Sequence, residues 1–330
     1  MAAMRVAVCA DMEGLSGIDR YQHCFPSWRD DYRHGVRMLV GDLEAAIEGA
    51  LEAGATEIAC ADWHYLGRNI PSAAFPDLPI RRLWQDGRPA IGPDGLGGPD
   101  AAVLVGVHAA AGNPEGFLSH TFWMGMSLLL DGVPLSEAAL WALALGGEGI
   151  PVAVVAGDQR ATEEAAHLLP SVRTVAVKAG TSRTSAILRP PPDAREELLE
   201  TVTGSLRSVP EPASHPFPSD ATIRFAEIRE ADAAARKGVG ERTGERDVTA
   251  HLGSVHDLMP HLARALLATS LGTGPALADR LYPRRTGGWR WAWSTCLTGV
   301  AGWVERRAVE AWAREDPARY PRVGSEAPAD

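Results

Sequence analysis

Five short runs, RVAVCA (5–10), EIACAD (57–62), AAVLVGV (101–107), PVAVVAG (151–157) and TVAVKAG (174–180), set the tightest limit on what this chain can fold into. A strand with one wet face alternates apolar and polar residues. AAVLVGV and PVAVVAG are apolar nearly throughout, which suits strands covered on both faces. Between the runs, DDYRHGVRMLVGDLEAAIEGALEAG repeats apolar residues every three or four positions and stops at Gly54, and SEAALWALALGG and RATEEAAHLL also read as helices. Strands alternating with helices predict βαβ units, hence an α/β fold with a mostly parallel sheet and helices on both faces.

The pattern changes at RPPPD (189–193). Beyond it come a helix over 194–207, a proline-rich link, the alternating ATIRFAEI and the helical VHDLMPHLARALLAT, which predict a smaller α+β unit. We therefore expect a catalytic sheet domain over 1–190, a smaller domain over 191–270 and an extension over 271–330. The extension carries Trp289, Trp291, Trp293, Trp303 and Trp312, and its last residues, VGSEAPAD, read as disordered.

At 330 residues the chain can bury a sizeable core, and its formal charge of −10 disfavours a nucleic-acid or anionic-membrane partner. Cys9, Cys24, Cys60 and Cys296 form no C-x-x-C pair, so neither a disulfide framework nor a cysteine-built zinc site is expected. The N-terminus lacks the pattern of a signal peptide, and the most apolar stretch is interrupted by Glu148 and Pro151. A cytoplasmic location is the resulting expectation. The chain contains no G-x-G-x-x-G, no P-loop and no G-x-S-x-G elbow, which leaves nucleotide binding and serine-hydrolase chemistry without a signature.

Ligands of open parallel sheets sit beyond the carboxyl ends of the strands. The first run ends in Asp11-Met12-Glu13, the second in Asp62-Trp63-His64 and the third in His108; Asp158 follows the fourth, and Lys178 lies in the fifth. Each has a plain structural reading: a turn or cap residue for the acids, a packing histidine for His108 and a helix N-cap for Asp158. Convergence favours chemistry, because side chains two apart on an extended chain face the same side. Crowded carboxylates also need a counter-charge, and a divalent cation supplies one. Oxygen and imidazole donors without thiolate suit zinc, manganese, cobalt or iron in a hydrolytic site. Gly14 would let the chain turn away from such a site. His120, in FLSHTF, reads equally as a polar loop residue, and Glu137, behind the capping Ser136, as an acid complementing a helix dipole.

Taken in order, ADMEGLSG, ADWH, GVHAAAGNPEGFLSHTF, SEAALWALALGGEGIPVAVVAGDQRATEEA and VKAGTSRTSA resemble the zinc-dependent D-aminopeptidases of the dipeptide-transport operon, the DppA-like family, over about residues 4 to 270. The resemblance implies a Rossmann-like sheet domain with a smaller α+β domain, assembled as a ring-like homo-decamer. It implies two zinc ions, with manganese or cobalt as substitutes. Asp11 would bridge them, Glu13 and His64 would complete one, and His108 and Glu137 the other. His120 matches the family's proposed catalytic histidine, and the substrates are short peptides with N-terminal D-amino acids such as D-Ala. Asp62 matches no ligand and is read as orienting a neighbour, while Lys178 or Arg183 is offered as a contact for the substrate carboxylate. A metal-dependent amidase with another substrate and a non-catalytic homologue are the alternatives. The Trp-rich extension lies beyond the resemblance.

Overall fold

The first apolar run becomes β1 (Met4–Ala10), followed by α1 (Arg29–Glu52), β2 (Ala55–Asp62), the short β3 (Ile80–Arg82) and β4 (Ala101–Val107) in this computed structural model. Then come β5 (Met126–Leu130), β6 (Val133–Leu135), α2 (Glu137–Gly147), β7 (Val152–Asp158), α3 (Gln159–Leu168), β8 (Arg173–Ser182), β9 (Ser185–Leu188) and α4 (Pro191–Leu206). The remainder comprises β10 (Ser219–Phe225), α5 (Ile228–Arg236), β11 (Glu241–Arg242), β12 (Asp247–Leu252), α6 (Leu258–Thr269) and a last helix, α7 (Val300–Ala313). The structure describes residues 3–65, 67–75, 80–82, 95–269 and 300–324. Cys296, three of the tail tryptophans (289, 291 and 293) and residues 325–330 lie outside that set.

The chain divides into two units. The first comprises residues 1–109, 114–119 and 136–214 and holds a seven-stranded sheet in the order β3-β2-β1-β4-β7-β8-β9. All its pairings are parallel except that of β8 with β9. Every residue of β4 and β7 is buried, as their apolar runs require. The sheet order places β1 between β2 and β4, so the carboxyl ends of these three parallel strands are neighbours.

The second unit comprises residues 110–113, 120–135 and 215–330 and holds an antiparallel sheet in the order β11-β12-β10-β5-β6. Its β5–β6 hairpin turns through Asp131 and Gly132, both at positive φ, the geometry that favours Asp-Gly in two-residue hairpin loops. Buried residues alternate along β10, in register with Leu128 and Leu130 of β5 and Val248 and Ala250 of β12. Among the described residues no helix is long and apolar enough to cross a membrane.

Candidate metal centre

The ends of β1 and β4 press together closely enough to demand two glycines. Asp11 N donates to Val105 O and Gly14 N to Gly106 O, each at 2.8 Å. A Cβ on Gly14 would overlap the Val107 carbonyl, and one on Gly106 would overlap the carbonyl of Asp11. The chain does turn at Gly14, where Leu15 N donates to Met12 O at 3.3 Å, and close backbone approach is what excludes a side chain there.

Asp11 presents one carboxylate oxygen to each of two imidazoles. Its Oδ1 lies 3.0 Å from His64 Nδ1, and its Oδ2 lies 3.4 Å from His108 Nε2. Glu13 Oε2 stands 2.9 Å from the same His64 nitrogen without the alignment of a hydrogen bond, and Glu137 Oε1 stands 3.2 Å from His108 Nε2. Glu137 opens α2 behind Ser136, whose hydroxyl accepts from Ala139 N, so the capping expectation for Ser136 holds. Trp63 and Trp141 stack at 4.2 Å, joining the β2 end to α2 one turn after Glu137.

The outer nitrogens of both rings face carbonyls. His64 Nε2 lies 2.8 Å from Cys24 O, and His108 Nδ1 lies 3.0 Å from Ala109 O. A carbonyl only accepts, so each of these nitrogens carries its proton. In the neutral ring, His64 Nδ1 and His108 Nε2 then point bare lone pairs at carboxylates, which is repulsive unless a positive charge lies between them. Either a second proton or a metal ion resolves this. Three carboxylates and two imidazoles without thiolate are suitable donors for a divalent cation, and ligand atoms of Asp11, Glu13 and His108 all lie within 4.8 Å of one another. The residues therefore fit a metal.

In the metal-free protein, protons take that place. Burial opposes the charged imidazoles, but Glu13 and Asp11 lift His64 well above the usual histidine value, and Glu137 and Asp11 lift His108 to about 10. Burial likewise opposes ionisation of Glu13, yet His64 beside it holds that carboxyl down at about 2. Burial and the neighbouring Glu13 raise Asp11. Of this group Asp11 has the most exposed side chain, at 15 %.

The remaining candidate residues separate by position. Asp62 is buried; its Oδ1 accepts from His64 N (3.2 Å) and Asn69 Nδ2 (3.0 Å), and its Oδ2 from Asn69 N (2.5 Å) and Ile70 N (3.2 Å). It organises the loop that carries His64. Asp158 caps α3, accepting from Ala161 N at 2.9 Å. Lys178 requires a correction. It is 1 % exposed, and its ammonium donates to the carbonyls of Glu13, Leu15 and Ile18 at 2.5, 3.0 and 2.9 Å, above the Phe117 ring. With three donors on three carbonyls, none remains for a substrate carboxylate. Burial lowers its pKa to about 8, which still leaves it charged at neutral pH. Arg183 is buried in the β8–β9 turn, where its carbonyl accepts from Leu118 N. His120 belongs to the second unit, half-buried, with its ring edge-on to Trp312 at 5.4 Å.

Asp42 of α1 clamps the same loop that Lys178 holds. Its Oδ2 accepts from Ser16 N at 2.7 Å, its Oδ1 accepts from the Ser16 hydroxyl, and Arg195 Nε donates to Oδ1 at 2.9 Å. A lone aspartate within a helix pattern carries no sequence signal for this role. The same is true of the Cys24 and Ala109 carbonyls, which are backbone groups.

The family model described as D-aminopeptidase, peptidase M55, matches residues 4–263. The chain belongs to this D-aminopeptidase family. A D-aminopeptidase of Bacillus subtilis (strain 168) is 29 % identical over 253 residues, covering 74 % of this chain and 90 % of that protein. The solved structure of the Zn-dependent D-aminopeptidase DppA from Bacillus subtilis, described as a self-compartmentalizing protease, matches with a TM-score of 0.72 and 26 % identity. That match covers 80 % of this family member and 98 % of DppA. The α/β fold, with its mostly parallel sheet and separate antiparallel sheet, is thus the fold of DppA.

Proposed function

We propose that this chain is a binuclear zinc D-aminopeptidase that releases N-terminal D-amino acids, D-Ala among them, from short peptides. The observation that carries the reading is Asp11 between two imidazoles whose outer nitrogens are engaged by backbone carbonyls. Asp11, Glu13 and His64 would hold one ion, and Asp11, His108 and Glu137 the other; manganese or cobalt suits the same donors. When bound, such a pair of ions polarises the scissile carbonyl and lowers the pKa of a water toward neutrality.

The chain's own residues hold and orient this centre. The carbonyls of Cys24 and Ala109 set the tautomers of His64 and His108, and Asp62 fixes the backbone of His64. Glu13 is held ionised at neutral pH, because His64 beside it outweighs its burial. His120, by its place in FLSHTF, is the side chain assigned to act on the amide itself, through nucleophilic attack, proton transfer or donation to the oxyanion.

Two zinc equivalents in the native protein, release of D-residues from a panel of D- and L-aminoacyl amides and dipeptides, and loss of turnover with retained zinc in His120→Ala are the expected results. Cleavage of L-substrates or non-peptide amides alone would favour the metal-dependent amidase. Absence of metal together with indifference to chelators would favour a non-catalytic homologue. The relative's description as self-compartmentalizing supports a homo-oligomer, and a decamer is the form the resemblance implies. Sedimentation as a monomer would remove that part.

A further inference from the structure

The family match ends at residue 263, yet the chain folds again beyond it. In α7 and the turn that follows, Val309, Trp312, Tyr320 and Val323 are buried, so this segment is packed rather than appended. It is fastened to the rest of the second unit: Arg246 Nη2 donates to Arg319 O at 3.2 Å and Arg319 Nη1 pairs with Glu227 Oε1 at 3.4 Å, while within the segment Tyr320 OH donates to Glu315 Oε1 at 3.1 Å. The carbonyls of Tyr320 and Pro321 pass so close to Gly112 that no Cβ fits there. Gly112 belongs to the GVHAAAG stretch, and Trp312 meets His120, eight residues further on. The extension therefore contacts both ends of one segment, residues 112 to 120, and does so at Trp312 with an edge-to-face ring pair, centroids 5.4 Å apart and planes at 83°. Edge-to-face geometry is directional, so it restricts the rotation of an imidazole as well as its position.

We infer that Trp312 is a positioning residue for His120, and that the C-terminal extension is thereby part of this chain's catalytic apparatus. The inference rests on the proposed role of His120. Catalytic groups must be held near productive geometry, and misplacement by about 1 Å costs on the order of 100-fold in rate. His120 is half-buried, and the edge-on contact with Trp312, a residue from outside the family region, adds such a constraint to its ring.

The test compares Trp312→Ala, Trp312→Leu and Trp312→Phe in the full-length zinc-loaded protein, with His120→Ala alongside. Three quantities are read: kcat and KM on a D-aminoacyl dipeptide, zinc content, and the rate at which diethyl pyrocarbonate modifies His120, followed by peptide mass spectrometry. Trp312→Ala and Trp312→Leu should lower kcat by about 10- to 100-fold, leave KM and zinc content near wild type, and speed modification of His120. Trp312→Phe keeps an aromatic partner and should recover most of both readouts. Should the alanine variant fail to fold, the leucine–phenylalanine pair makes the same comparison with the site filled. Wild-type kcat and His120 reactivity in the leucine variant, with His120→Ala inactive, would overturn this inference alone. Full turnover in His120→Ala would overturn it together with the assignment of His120.

Discussion

Replacing Lys178 with methionine tests whether the loop carrying Asp11 and Glu13 is held by a buried charge. Methionine fills the volume of the aliphatic stem and removes the ammonium. Three carbonyls, those of Glu13, Leu15 and Ile18, then lose a donor that sits at 2.5 to 3.0 Å in the native protein. A buried acceptor left without a partner costs about 1–3 kcal/mol, so the gross loss is about 3–9 kcal/mol. Two effects offset it: the variant no longer desolvates a charge, and the loop can relax toward water. A net destabilisation of about 2–4 kcal/mol is expected. Urea unfolding of the metal-free protein measures it as a lower midpoint at unchanged slope. Because Glu13 is one of the three residues held, zinc affinity should also fall about 10- to 100-fold, measured by competition with a chromophoric chelator. Stability within about 0.5 kcal/mol of wild type together with undiminished zinc affinity would refute the reasoning. The loop would then be held by Asp42 and its backbone contacts alone.

Three further outcomes follow from the same geometry. Asp62→Ala removes the acceptor of four hydrogen bonds around His64 and Asn69, and should weaken zinc binding about 10-fold in the same competition assay; unchanged affinity would show that the loop is oriented by other contacts. His261 in α6 is buried, neither ring nitrogen has a hydrogen bond among the described residues, and burial lowers its pKa to about 4. The unfolded chain binds that proton near pH 6.5 and the native protein only near 4, so its contribution is fully present above pH 6.5 and lost as pH falls toward 4, about 3 kcal/mol in all. In His261→Leu the fall in urea-unfolding stability between pH 6.5 and 4 should be shallower by that amount, and an unaltered slope would reject the assignment. Stripping metal with a chelator should abolish peptide hydrolysis and lower the thermal midpoint, and zinc at about 100 times its Kd should return about 2.7 kcal/mol of stability.

Much of the first sheet could be read in the sequence because burial on both faces leaves a local record. AAVLVGV coincides with β4, and the other four runs fall on β1, β2, β7 and β8 within two or three residues. The β5–β6 hairpin falls outside the strands expected from the sequence, although MSLLL-DG-VPL carries the Asp-Gly signal of a two-residue loop. Its β5 pairs with β10, some ninety residues later, and no local pattern indicates that partner. The motif glycines were visible as glycines, while the reason for Gly14, the carbonyl of Val107 pressed against it, belongs to the pairing of β1 with β4.

From its sequence alone the chain determined which chemical groups stand at which strand ends: Asp11 and Glu13 after β1, Asp62 and His64 after β2, His108 after β4 and Glu137 at the start of α2. Strand and helix periodicities are short-range properties, and the strand-end rule turns them into a site. Only the tertiary structure decided what each group faces. The protons of His64 and His108 are fixed by carbonyls forty residues away in one case and one residue away in the other. Lys178 turns inward to the Glu13–Ile18 loop instead of outward to substrate. Trp312, from beyond the family region, sets its ring against His120. Most of these pairings join residues distant in the chain, and the energies of all depend on exclusion of water and on angle, neither of which any short window of sequence contains.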